Sequence, residues 1–498
     1  MKRRTVLSGA TTAALYGLAG CVDGAPDATN STADEPTTDE PGSDEPRTPE
    51  GDFWQSVDDL PAFREPTVVD FETASLTAAV VGRGRRTDDG FTVGLDFRRG
   101  ATADAPATLV ATVANTKPFE QPLELRRLGP LESPSLARMT EGNRTTVYLA
   151  PTAAHPLAET VPTAERDADG RWRLTDLQDD WYPETVTVEA ETGFVAEYHL
   201  LGHHLDDEPP IAPGRYRFSR DDRMAIVTWL TDEPGPDGES ELADHEPPGL
   251  PGDQETSWYH ESMPSTERFL QPDTEAVEPP ARIGFEFVNR SRESLSGNPH
   301  YWRLYKLYGE EWLPITPWEW IQPAAELTPG DRANTELGVY HGSAPATGGR
   351  TAGFLGGGRY AYTGGFDTAT EQYAALFEVG APPLDIGIES AAEIRRSGAT
   401  TVVELPNHAE ARRPATFSVT LVPDGEPDRE VIPEQLPRRP FRALRNTLPA
   451  FDGGVDTVRL KTDRGTALRL AGYEANTEVV VRYDGTTYSA VGTLDTRE

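Results

Sequence analysis

His199, His203 and His204, followed closely by Asp206, Asp207 and Glu208, form the densest run of metal-ligating side chains in this sequence. Imidazole nitrogens and carboxylate oxygens together suit zinc or another divalent ion. On a helix, His199 and His203 would share a face. The flanking residues instead alternate with the period of a strand, and Gly202 interrupts any helical turn. The run therefore reads as a solvated acidic loop between strands, with no cofactor expected; His199, His203, His204 and Asp206 are the candidates should a metal be held.

A second chemistry-bearing set is aromatic. Tyr301, Trp302, Tyr305, Tyr308, Trp312, Trp318 and Trp320 crowd one short stretch. Such faces can stack on sugars or anchor a protein partner, and they also fill cores. Trp318 and Trp320 flank Glu319, so a strand there would aim both at one side, and they are the candidates for a binding surface should the set provide one. The other aromatics are assigned to a core. Arg438, Arg439, Arg442 and Arg445 form a local basic cluster that could dock an anion, but they are expected to pair with the chain's own carboxylates. Asp167 to Gly170 opens like a calcium loop, lacks the later glutamate, and reads as a hairpin turn. Glycosylation sequons occur at Asn30, Asn143 and Asn289, the last also closing an apolar strand. The sequence contains no Gly-x-Ser-x-Gly elbow, no phosphate loop and no His-Glu-x-x-His, so no catalytic residue is assigned and a non-enzymatic role is expected.

The N-terminus carries a different kind of chemistry. Lys2, Arg3 and Arg4 precede a weakly apolar stretch from Thr5 to Gly20, the pattern of a signal peptide. It is too short for the roughly 20 apolar residues that span a bilayer. The Arg3-Arg4 pair followed by Leu7 resembles a twin-arginine export signal. Leu18-Ala19-Gly20-Cys21 resembles a lipobox, which implies removal of residues 1–20 and a lipid on the Cys21 thiol. A lipid there implies attachment to the outer face of the cell membrane. Cys21 is the only cysteine, so the body has no internal disulfide and is stabilised by burial alone.

Acidic residues number 82 against 46 basic ones, for a formal net charge of −36. That surplus argues against nucleic acid and anionic headgroups as partners. The only lysines are Lys2, Lys117, Lys306 and Lys461. Acid excess with so few lysines resembles the proteins of salt-loving archaea. At about 1 M salt the Debye length is about 3 Å, which screens the self-repulsion of such a chain.

These residues need elements to position them. Residues 21–65 begin with a stalk in which Asp34-Glu35-Pro36 recurs as Asp39-Glu40-Pro41 and Asp44-Glu45-Pro46. Proline and like charges keep such a segment extended, so some 30 residues at about 3.1 Å each would reach roughly 90 Å. Residues 231–280, rich in proline, glycine and acids, read as a linker. Between these breaks the apolar residues alternate. Leu109, Ala111 and Val113 precede Asn115 as Ile283, Phe285 and Phe287 precede Asn289. Thr192-Gly193 with Leu200 parallels Pro329-Gly330 with Leu337, and Gly214-Arg215-Tyr216 parallels Gly358-Arg359-Tyr360. The shared order argues for an internal duplication.

With Leu304, Gly309, Trp312, Pro329, Gly330 and Tyr360 in sequence, the second copy resembles the immunoglobulin-like modules of bacterial and archaeal surface lipoproteins. The first copy departs by an insertion containing a hairpin at Asp169-Gly170. The resemblance implies an all-β chain of tandem β-sandwich modules, at 66–230 and 281–382, and it transfers no catalytic residue. Residues 383–498 read as a further β-rich module, with Asn407 after an apolar strand, a short helix over Pro440 to Leu448 and a type I′ hairpin at Asp484-Gly485. The expected function is that of a membrane-anchored extracytoplasmic lipoprotein with a binding or envelope-structural role, its partner an envelope protein or glycan. The alternative is a carbohydrate-binding or hydrolytic protein acting through the aromatic-rich second module.

Overall fold

Among the described residues the chain is mostly β, and the α-helices run only four or five residues. A computed structural model describes residues 53–495 except 126–127, 133, 140–144, 179–180, 219–220 and 346–348. Arg3, Arg4, Cys21, most of the stalk, Asn30 and Asn143 lie outside the described residues. The described residues all belong to one compact unit.

In the N-terminal region, Leu109, Ala111 and Val113 on the strand Ala107–Asn115 point into a single core. Antiparallel strands Phe91–Arg99 and Thr192–Gly202 flank it and add Val93, Leu95, Phe194, Ala196 and Tyr198 to the same core. The central region repeats the pattern with strand Ala281–Asn289 between Arg268–Pro272 and Arg332–Val339 in a four-stranded sheet. That sheet faces a six-stranded one across a core in which Phe285 stacks on Tyr362 at 3.9 Å. In the N-terminal region the strand Thr146–Pro151 pairs with both Leu136–Met139 and Thr192–Gly202. It thereby joins into one 13-stranded sheet what the central region keeps as two.

The duplication is visible in side-chain chemistry. Asn115 and Asn289 are both fully buried at the ends of equivalent strands. The Asn115 Nδ2 donates to the carbonyl of Phe119 at 2.8 Å, and the Asn289 Nδ2 to that of Glu293 at 2.9 Å, each four residues on. Each Oδ1 accepts from the backbone N–H two residues on, of Lys117 and Ser291. Each amide also reaches a carbonyl of a separate short strand, at Val188 and Leu327. Tyr216 and Tyr360 likewise donate their hydroxyls to the carbonyls four residues upstream, of Ala212 and Gly356. The pairing registers align Glu191, with φ +54°, rather than Gly193, with Gly330, with φ +77°. The sequence alignment is thus two residues out. Because strand side chains alternate with period two, this slip left the inward face unchanged.

Two expectations need correction. Residues 231–280 are not a linker. Leu242, Leu250 and Trp258 are buried against Tyr305, Trp312 and Leu376 on the outer face of the six-stranded sheet. Glu255–Trp258 pairs in parallel with Glu371–Val379, and Arg268–Pro272 belongs to the four-stranded sheet. Prolines break regular strand alternation, yet a few spaced apolar side chains suffice to bury the segment. The Trp312 side chain accordingly packs under this cover, its Nε1 donating to the Pro248 carbonyl at 2.7 Å, rather than between the sheets.

The C-terminal region is β-rich as expected but does not repeat the strand-and-asparagine pattern of the first two. It is a seven-stranded mixed sheet in which Thr400–Glu404 runs parallel to Thr457–Asp463. Asn407 opens a one-turn helix and donates to Asp463 Oδ2 at 2.6 Å instead of closing a strand. The hairpin at Asp484-Gly485 has positive φ at both residues, +47° and +74°, as its turn type requires.

Candidate binding groove

The histidine run does not assemble into a metal centre. His199 lies on the outward side of its strand, half-buried, with Arg99 and Glu197 as its charged neighbours. His203 lies beyond the strand end, accepts from the Leu205 N–H at 3.1 Å and stacks on His204 at 4.4 Å. Asp206 is engaged by Arg173. Burial lowers the pKa of His199 and of His203. Among the described residues, no group of three or more His, Cys, Asp or Glu side chains is placed to share a metal ion.

Trp318 and Trp320 are also separated. Their strand ends at Thr316, so the alternation that would align them is absent. Trp318, 41% exposed, meets Phe441 of the C-terminal region at 5.7 Å. Trp320 packs on Tyr301 at 4.9 Å, with the Arg303 guanidinium over its ring. Nearby Asp367 is raised to about 6 by burial, a feature nothing in its sequence context announced.

The arginine cluster is largely spent internally. Arg442 clasps Glu389 through two 2.7 Å bonds, Arg438 donates to the carbonyls of Gly353 and Glu434, and Arg445 donates to that of Gly387. Asn289 keeps its amide inside the fold, which removes the group a glycan would need.

A large opening lies where no motif pointed, on the outer face of the four-stranded sheet. With Ile283, Phe285, Phe287, Leu337 and Val339 turned inward, alternation turns Arg282, Gly284, Glu286, Asn334, Glu336 and Gly338 outward. One end of this face is roofed by the N-terminal region. Val227 and Trp229 approach Gly330 so closely that a Cβ there would sit 3.1 Å and 3.2 Å from their side chains. Arg292 grips both Asp70 oxygens at 2.5 and 2.7 Å, and Arg215 faces Asp331 at 3.8 Å.

The cleft so formed holds about 860 Å³ between Val227 and Thr228 on one side and Gln271, Glu286, Arg332 and Asn334 on the other. A second cavity of about 480 Å³ shares Asn334, Thr335 and Glu336 with it and continues to His300 and Tyr340. The two form one groove. Its arginines are paired: Arg332 with Glu286 at 3.0 Å, Arg282 with Glu336 at 2.6 Å, and Arg290 with Asp237 at 3.3 Å. The side chains of Gln271, Asp273 and Asn334 have no hydrogen-bonding partner among the described residues and face the opening. The readable signal was the pair of outward glycines, Gly284 and Gly338, because glycine inside a strand often marks close approach by a ligand or another backbone.

Among the described residues, no helix is long and apolar enough to cross a membrane. No protein-family model matches this chain, and no curated protein matches it.

Proposed function

We propose that this chain is an exported, lipid-anchored binding protein of the cell envelope, held through Cys21 and presenting the groove to the exterior. The anchor rests on the order of Arg3-Arg4, the weakly apolar stretch and Leu18-Ala19-Gly20-Cys21. Its acid surplus and its few lysines resemble the composition of proteins of salt-loving archaea and argue against nucleic acid as a partner. An immunoglobulin-like reading of the first two regions draws support from Tyr216 and Tyr360, whose hydroxyls return to the backbone upstream as in the tyrosine corner of such folds.

One observation carries binding over catalysis. Three of the groove's carboxylates, Glu286, Glu336 and Asp237, are already held by guanidinium groups. Glycoside hydrolysis ordinarily uses two carboxyl groups flanking the bond, and Asp273 is left without an unengaged second. The separation of Trp318 from Trp320 removes the aromatic platform on which the hydrolytic alternative was built.

Fractionation of native cells tests the anchor. The wild-type chain stays with membranes through a high-salt wash and is released by detergent, whereas Cys21→Ser appears in the soluble fraction. Equal membrane retention of both forms would overturn the anchor, and export unaffected by replacing Arg3 and Arg4 with lysine would overturn the twin-arginine route.

A further inference from the structure

We infer that the groove on the outer face of the four-stranded sheet binds a neutral, extended glycan chain, an assignment that rests on the binding role proposed above. The shape argues for a chain molecule. Single clefts for small ligands hold about 300–1,000 Å³, and here a cleft of about 860 Å³ runs into another of about 480 Å³ through shared Asn334, Thr335 and Glu336. The floor includes Gly284 and Gly338, which lie on adjacent central strands opposite Glu336 and Arg282 respectively, with the Asp273 side chain close over Gly284 and the Tyr340 ring over Gly338. A side chain at either position would displace Asp273 or Tyr340 into the groove.

Charge narrows the ligand class. The full chain carries a net charge of −36, yet along the groove Arg282, Arg290 and Arg332 are each matched by an acid. A polyanion would meet the bound carboxylates, and a polycation would have to displace arginines already seated. A neutral polyol meets neither obstacle. Each of its hydroxyls both donates and accepts, as do the unspent amides of Gln271 and Asn334, and the Asp273 carboxylate adds an acceptor. Tyr340 supplies a ring face: it lies across Gly338, one ring carbon 3.1 Å from where a Cβ would be. Sugar rings stack on such faces.

A polypeptide is the competing occupant, because extended peptides are captured by unpaired strand edges. Strand Arg332–Val339 is paired beyond its Ala281–Asn289 side only at residues 337–339, which leaves an edge at residues 332–336 beside the second cavity. The peptide arm of the titration separates the two.

The test is calorimetric titration of the full chain carrying Cys21→Ser, in multimolar NaCl. The probes are malto-, cello- and manno-oligosaccharides, with oligogalacturonate and a neutral unstructured peptide alongside. At least one neutral oligosaccharide is expected to bind, and Gln271→Ala with Asn334→Ala to weaken it at least about tenfold, as loss of two hydrogen bonds would. Both residues are at the surface, so the melting temperature of that variant should match the parent. Gly338→Leu should abolish binding by driving the Tyr340 ring from its place over Gly338. Binding by no neutral oligosaccharide, binding undiminished in the double variant, or binding only of the uronate or the peptide would each overturn the assignment. Membrane retention lost on Cys21→Ser would survive any of those results, so failure of the glycan assignment and failure of the anchor are distinguishable.

Discussion

His155 is buried in the N-terminal core, stacked on Tyr182 at 5.3 Å, with Nε2 3.0 Å from the Tyr198 hydroxyl. Its Nδ1 accepts from the Leu157 N–H at 3.2 Å, so the neutral ring satisfies both nitrogens and a second proton would have no acceptor. Burial lowers its pKa to about 3. The unfolded chain takes up that proton near pH 6.5 while the folded chain refuses it. The contribution of His155 to stability is therefore complete above pH 6.5 and declines as pH falls toward 3. The loss is about 1.4 kcal/mol per pH unit within that window. Denaturant unfolding of the wild type and of His155→Leu at pH 7 and pH 5 should show a smaller acid-induced loss in the variant. Equal losses would mean that this imidazole titrates normally.

At the scale of elements, the two buried asparagines tie each central strand to the turn after it and to a short strand outside its main sheet. Asn289 satisfies Glu293 and Leu327 carbonyls and receives both the N–H and the hydroxyl of Ser291. Asn289→Ala leaves those groups buried and unpaired, and each such group costs about 1–3 kcal/mol. The substitution should lower unfolding free energy by at least about 2 kcal/mol in chemical denaturation, and Asn115→Ala should do the same in the N-terminal region. Asn289→Asp should also destabilise, because a carboxylate cannot donate to the two carbonyls. A loss below about 0.5 kcal/mol, the level of an ordinary surface change, would show that these amides are incidental to the fold.

At the scale of the whole molecule, the central and C-terminal regions share a buried ionic joint. Glu434, 2% exposed, accepts from Lys306 and from the Gly356 N–H at 3.2 Å. Gln435 reaches the Pro314 carbonyl at 3.0 Å, and Ile432 enters the central core. Burial pushes the Arg438 guanidinium beside this joint down to about 10. Removing one member of a buried pair costs about 3–5 kcal/mol because the other charge is stranded. Glu434→Ala should therefore separate one cooperative calorimetric transition of these regions into two; a single transition at an unchanged temperature would show that the joint does not couple them. Overall charge sets a second expectation. With a net charge of −36, the melting temperature should climb from dilute buffer to multimolar NaCl as self-repulsion is screened. A flat response would remove the halophilic reading.

What could be read without coordinates was local. Period-two alternation marked the inward faces of Ala107–Asn115 and Ala281–Asn289, and the asparagines and Gly-Arg-Tyr segments marked the repeat. Asp484-Gly485 marked a hairpin because positive φ is a property of two adjacent residues. Each of these depends on neighbours within a few positions, so the chain states them directly. Burial of residues 231–280, the merging of sheets by Thr146–Pro151, the parting of Trp318 from Trp320 and the groove itself depend on which distant surfaces meet. Gly330 accepts Val227 and Trp229 from a strand a hundred residues away in the chain. No local pattern encodes that approach; only the joint burial of both regions selects it, and the groove exists because they meet there.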